Sequence, residues 1–200
     1  MRYACDSLKI YRQKKYVAIK ILKGYATNLV RKGITWELAA LERLSAPTSA
    51  SGHESNHCLR LLSHFTHTGN DQDGEHLCLV TDIMGGDVRS LLRHTLANHN
   101  AIPLPLAKRI LLHTLRGIAY MHYCGVVHTD LKADNIMFDA GFTTTADFAT
   151  LIATDPPRLN PPEDSWEGTV QTAVSQPLPL PALSDVMTRT FLVADFGSGK

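Results

Sequence analysis

Val127-His128-Thr129-Asp130-Leu131-Lys132-Ala133-Asp134-Asn135-Ile136-Met137-Phe138 is the stretch that decides how this chain is read. It is polar in the middle and apolar at both ends, and that middle is hard to explain as packing. A carboxylate at Asp130 can accept the proton of a hydroxyl group. A lysine two residues on, Lys132, can neutralise a phosphoryl group in transit. An amide oxygen five residues on, at Asn135, can hold a magnesium ion. A plain polar turn between two strands has no need of that combination.

Other segments fit around it in a fixed order. Tyr16 to Leu22 alternates, with Val17, Ile19 and Ile21 on one face and Ala18, Lys20 and Leu22 on the other, as a strand does. Residues 26–45 read as one helix with Ile34, Leu38, Leu41 and Leu44 on a stripe. Glu37 flanks that stripe and Glu42 lies further round, so Glu37 is the better inward-pointing partner for Lys20. Gly33 weakens the helix locally. A second helix begins at Pro105, carries Ile110, Leu111, Leu115, Ile118, Met121 and His122, and stops before Gly125. Phe191-Leu192-Val193-Ala194 is an apolar strand that runs into Asp195-Phe196-Gly197.

Together these segments resemble the eukaryotic protein kinases. Residues 128–135 are similar to the catalytic loop, Val17-Ala18-Ile19-Lys20 to the third strand, and Asp195-Phe196-Gly197 to the magnesium-binding tripeptide. Leu77 to Asp87 resembles the fifth strand and the hinge. Within the kinases the resemblance is to the SR-protein kinase group. It is carried by threonine before the catalytic aspartate, by His57 to Phe65 and Asp73 to Val80, and by a long insert before Asp195.

The resemblance implies an α+β, two-lobe fold, with a small antiparallel β lobe bearing one helix and a mostly helical large lobe. It implies ATP and Mg2+ as cofactors and Ser/Thr specificity on protein substrates, with Arg/Ser-rich splicing factors as the type. Lys20 would position the phosphates, held by Glu37, and Asn135 and Asp195 would hold magnesium. Asp130 would orient and deprotonate the hydroxyl, and Lys132 would steady the phosphoryl group. The backbone of Asp82 and Met84 would face adenine, Thr81 would be the gatekeeper, and Asp87 could reach the ribose. Thr129 stands where most kinases have an arginine that pairs with a phosphorylated activation loop. Activity without that phosphorylation is therefore expected.

Composition sets bounds on the rest. At 200 residues the chain can bury a sizeable core. Its 20 Lys+Arg against 19 Asp+Glu give a net charge of +1, with no general pull toward nucleic acid. It has no run long enough to cross a bilayer and no signal-peptide core at Met1 to Asp6. Four spaced cysteines suit a reducing compartment, cytoplasmic or nuclear. The histidine-rich 53–67 region matches no common zinc spacing.

Four segments follow: a partial small lobe with hinge at 1–84, the start of the large lobe at 85–138, a Pro-rich insert at 139–190, and the strand with Asp-Phe-Gly at 191–200. No glycine precedes Gly24, so the phosphate-covering loop is expected to be missing, and the large lobe is expected to be incomplete. The 105–124 helix would then expose an apolar stripe, leaving the isolated chain poorly soluble or partly molten. Within the insert, 147–153 reads as a short helix, 154–170 as a linker, and 176–181 as polyproline II. Leu178, Leu180, Val174 and Trp166 could dock parts of it. Ala146-Asp147-Phe148-Ala149 imitates the magnesium tripeptide, but it follows a poorer strand and lacks the final glycine. The alternative to a kinase fragment is a pseudokinase-type ATP- or protein-binding module, and an unrelated small-molecule phosphotransferase of kinase-like fold is a weaker third reading.

Overall fold

The run Leu77-Cys78-Leu79-Val80 is apolar at every position, which suits a strand covered on both faces. In the computed structural model it is the centre of an antiparallel sheet. The structure describes residues 16–46, 57–69, 74–99, 101–141, 145–165, 168–171, 174 and 176–197. Strand β1 (Ala18–Ile21), β2 (Leu61–Thr68) and β3 (Glu75–Thr81) take the order β1-β3-β2. Leu77 and Leu79 join the main core, while Cys78 and Val80 pack with Ile19 on the opposite face. Lys20 stands opposite Leu79 in the register.

The single helix expected over 26–45 is two helices, α1 (Gly24–Arg31) and α2 (Glu37–Ser45). The break lies at Gly33, whose φ of +67° is the left-handed region that glycine enters freely. The Gly33 amide donates to the Val30 carbonyl and the Ile34 amide to the Leu29 carbonyl. That is the Schellman arrangement of a helix end, so Gly33 terminates a helix instead of interrupting one. Ile34 therefore leaves the expected stripe and is 59% exposed, whereas Leu41 and Leu44 are buried.

Beyond β3, β4 (Met84–Asp87), α3 (Val88–His99) and α4 (Leu104–Tyr123) follow. A one-turn 3-10 helix (Ala133–Asn135) leads into β5 (Ile136–Asp139). The insert carries α5 (Thr145–Thr154), a hairpin of β6 (Glu163–Ser165) and β7 (Gly168–Val170), and α6 (Leu183–Val186). It returns as β8 (Phe191–Val193). Strands β4, β5 and β8 form a second antiparallel sheet in the order β4-β5-β8. The hairpin lies where a bare linker is expected, and Trp166 lies outside the described residues.

Helix α4 has two apolar faces. Leu106, Ile110, Gly117, Tyr120 and Met121 are buried, whereas Leu111 and Leu115 are 61% and 62% exposed. The six positions read from sequence as one stripe thus divide between the core and the open side. Gly117 is fixed by close approach. A Cβ there would stand 2.7 Å from the His57 carbonyl oxygen and 2.9 Å from Val193 Cγ2. Glycine in a helix costs roughly 0.5–1 kcal/mol, which this contact requires.

Two buried histidines tie the same region to β8. His57 Nδ1 donates to the Phe191 carbonyl at 3.0 Å, and the Phe191 amide donates to His113 Nδ1 at 3.1 Å. Their rings lie 4.1 Å apart. Burial is the largest cause holding both below the usual histidine pKa, His113 to about 4.

Candidate functional site

Lys20 is delivered by strand alternation and Glu37 by the first turn of α2. The ammonium lies 2.5 Å from Glu37 Oε1 and 3.3 Å from Asp195 Oδ1. Glu37 is largely buried and Lys20 half-exposed. Burial alone would lower the lysine pKa, but the Glu37 and then the Asp195 carboxylates outweigh it and hold it above its ordinary value. Glu42 points elsewhere, toward His64 at 3.1 Å.

The catalytic-loop stretch between Val126 and β5 is held from its two ends. His128 is buried. Its Nε2 donates to the Ala194 carbonyl at 3.0 Å, and its Nδ1 faces the Asp130 amide at 3.4 Å. Those partners assign the Nε2–H tautomer. At the other end the Ala194 amide donates to the Asn135 carbonyl at 2.8 Å. Ala194 is therefore bonded to this loop through both of its backbone groups, and Asp195 follows directly. Phe196 is fully buried against the His128 ring, 5.4 Å away, among Leu41, Leu44 and Tyr120. With Ala194 and Phe196 both buried, the Asp195 side chain is left exposed on a backbone of φ +65°. His128 and Ala194 carry this geometry through a bond that spacing along the chain does not show, because the two residues lie 66 positions apart.

Asp130 and Lys132 are exposed and 2.6 Å apart. The hydrogen bond from Lys132 is the main reason the Asp130 carboxyl lies below its usual range, and the same bond holds the Lys132 ammonium above its own. The Asp195 charge adds to Lys132 as well as to Lys20, so Asp195 acts on both lysines. Thr129 sits at φ +63°. A β-branched residue there is strained by about 1–3 kcal/mol, a strain sustained by the anchors on either side.

Asn135 is buried and donates Nδ2 to the Asp130 carbonyl at 2.9 Å, which orients its amide oxygen. That oxygen and the Asp195 carboxylate are two hard donors. Magnesium accepts so small a protein set when phosphate and water oxygens complete its octahedron. Among the described residues, no group of three or more His, Cys, Asp or Glu forms a metal cage.

Asp82 lies in the two-residue link after β3, and Met84 opens β4 opposite Asp139. Thr81 ends β3 opposite Ala18. Asp87 ends β4 directly before α3. Its Oδ1 accepts the Ser90 amide at 2.8 Å and its Oδ2 the Ser90 hydroxyl at 3.1 Å. The carboxylate caps α3. Asp147 lies in the first turn of α5 and not at a strand end. Arg89 of α3 pairs with Asp134 at 3.3 Å, linking that helix to the 3-10 turn.

The protein kinase domain pattern matches residues 5–160. That match stops short of Asp195, which enters the site through the fold. The chain is similar to the serine/threonine-protein kinase SKY1 of Saccharomyces cerevisiae, 33% identical over 129 residues, or 63% of this chain and 17% of that protein. It is 35% identical over 125 residues to the serine/threonine-protein kinase SRPK of Physarum polycephalum, covering 62% and 27%. Against SRSF protein kinase 3 of Homo sapiens it is 30% identical over 134 residues, covering 65% and 22%. The chain thus spans about a sixth to a quarter of the length of these relatives. A domain pattern covering most of the chain and relatives that are all protein kinases agree with the strand lysine, the catalytic loop and the Asp-Phe-Gly strand just described: this chain belongs to the protein kinase domain family.

Proposed function

We propose that this chain carries the nucleotide-binding and catalytic-loop part of a Ser/Thr protein kinase of the SR-protein-kinase type. The reaction is transfer of the ATP γ-phosphoryl group to a protein hydroxyl, with Arg/Ser-rich splicing factors as the substrate class. The observation that carries this reading is the Lys20 ammonium held by Glu37 within 3.3 Å of Asp195, beside a loop that pairs Asp130 with Lys132. Four widely spaced cysteines with no C-x-x-C pair suit a cytoplasmic or nuclear location, which is part of the same proposal.

In the mechanism, Lys20 binds the nucleotide phosphates and the buried Glu37 fixes where its ammonium points. Asp82 and Met84 offer backbone groups to adenine. Asn135 and Asp195 would hold magnesium, which supplies charge neutralisation at the phosphates when bound. Asp130 orients the acceptor hydroxyl. With its carboxyl held below the ordinary range, it is a poor proton acceptor while Lys132 remains on it. Transfer of Lys132 from Asp130 to the moving phosphoryl group removes that depression at the moment the hydroxyl proton must leave. Lys132 thus couples phosphoryl stabilisation to the basicity of Asp130.

The test is phosphoryl transfer by the full-length protein from labelled ATP to an Arg/Ser-repeat peptide, with Asp130→Ala as control. Transfer that the control abolishes is expected. ATP binding without transfer to any protein hydroxyl would sink the reading and leave a binding module.

A further inference from the structure

The insert leaves β5 and enters β8 through a closed neck. The Asp139 amide donates to the Thr190 carbonyl at 3.0 Å, and the Thr190 amide donates to Asp139 Oδ2 at 2.5 Å. Arg189 pairs with Asp139 at 3.6 Å and lies across Gly141. Arg109 of α4 donates to the Arg189 and Thr188 carbonyls at 2.8 and 3.2 Å. Val186 of α6 is fully buried with Leu91, Leu106 and Phe138. The returning end of the insert is therefore part of the core.

Beyond the neck, the insert touches the chain just before β1 on one side and β4 on the other. On the small-lobe side, the Phe148 ring of α5 packs on Tyr16 at 5.3 Å. Tyr16 lies two residues before Ala18, which is paired with Thr81, the last residue ahead of the hinge. On the large-lobe side, Leu180 packs with Phe138, and its Cδ2 stands 3.7 Å from where a Cβ on Gly86 would be. Leu178 and Leu180 are half-buried while Pro177 and Pro179 are exposed, so the leucines face inward and are not offered to a partner. The two limbs are tied together as well. Val174 donates to the Arg158 carbonyl, and Gln176 bonds the Arg158 amide and the Pro156 carbonyl.

We propose that this insert is a strap behind the hinge, and that Phe148 and Leu180 are positioning residues that hold 82–86 in the shape that receives a nucleotide. They act through the hinge and touch no substrate. The nucleotide part of this inference rests on the proposed kinase function; the strap itself does not.

The test uses the full-length protein with Phe148→Ala and Leu180→Ala, the conservative Phe148→Leu and Leu180→Met, and Pro179→Ala as an exposed control. Amide exchange over 82–86 and the KM for ATP are measured beside kcat. The expected result is faster exchange in both alanine variants and a KM raised about fivefold, the low end of ordinary coupling between sites. The expectation also includes little change in kcat, recovery in the conservative variants, and no effect of Pro179→Ala. Unchanged exchange over 82–86 would overturn the strap. Faster exchange with unchanged KM would overturn the positioning role, as would KM and kcat worsening in step with a fall in melting temperature. Failure of the unmodified protein to bind ATP would overturn the kinase reading and the nucleotide part with it, with exchange over 82–86 still deciding the strap.

Discussion

The Lys20–Glu37 and Lys132–Asp130 pairs are alike in length, 2.5 and 2.6 Å, and opposite in construction. The first joins a strand to a helix 17 residues away, with its carboxylate largely buried. Breaking it would leave that carboxylate poorly solvated, so it favours staying closed. The second joins neighbours in one loop, half-exposed on both sides, where an ion pair contributes little and exchanges readily. One pair suits holding a position, and the other suits the release that the proposed transfer step needs. Asp195 influences both lysines and so connects the two.

The sharpest way to break that comparison is kinetic. Asp130→Ala in the full-length protein is expected to reduce phosphoryl transfer about a thousandfold while leaving ATP binding intact. Loss of ATP binding in that variant would mean the two pairs are not separate devices. Lys20→Ala is expected to lower kcat/KM about a hundredfold with ATP affinity falling too. Glu37→Gln should cost less, about tenfold, because Asp195 still holds the ammonium from the other side. Equal losses in those two variants would show that Asp195 gives Lys20 no support.

Stability tests ask how firmly the scaffold between the pairs is fixed. Gly117→Ala is expected to destabilise by about 1–3 kcal/mol, because the added methyl must displace the His57 carbonyl or Val193. Urea unfolding measures it, and a neutral result would mean that the 57–59 segment moves freely. The histidines predict a pH effect. A His113 pKa near 4 when folded lies below the unfolded value, so between the two the unfolded state binds more protons. Stability should be full above about pH 6.5 and fall as the pH drops toward 4. His113→Asn should flatten that slope in melts at stepped pH.

The smallest expected change tests the outer pair. In Lys132→Met the Asp130 carboxyl should rise back toward its ordinary range, as read by carboxyl NMR titration, moving the acid limb of activity to higher pH. No upward movement would show that Lys132 does not control Asp130. Phosphatase treatment of the full-length protein should change activity by less than about twofold, since Thr129 offers no charge for a phosphorylated loop.

Much of the site was legible as residue types at fixed spacing. Asp130, Lys132 and Asn135 fall within six residues, and alternation alone turns Lys20 away from Ile19. What spacing could not carry was continuity. The pattern over 26–45 satisfies a helical period on both sides of Gly33, yet only the left-handed backbone there shows that two helices meet. Asp87 also caps α3 through Ser90, three residues on, a role the residue-type reading did not assign it. The apolar positions of α4 record hydrophobicity without recording which face is covered.

Side-chain identity over short distances along the chain was enough to point to the family and to name the residues of the candidate site. Tertiary structure alone decided that Ala194 and His128 hold the catalytic loop, and that Phe148 of the insert meets Tyr16. Those outcomes depend on hydrogen bonds and ring contacts between residues 59 to 132 positions apart. Such contacts are selected by burial of the whole core, and no local pattern encodes them.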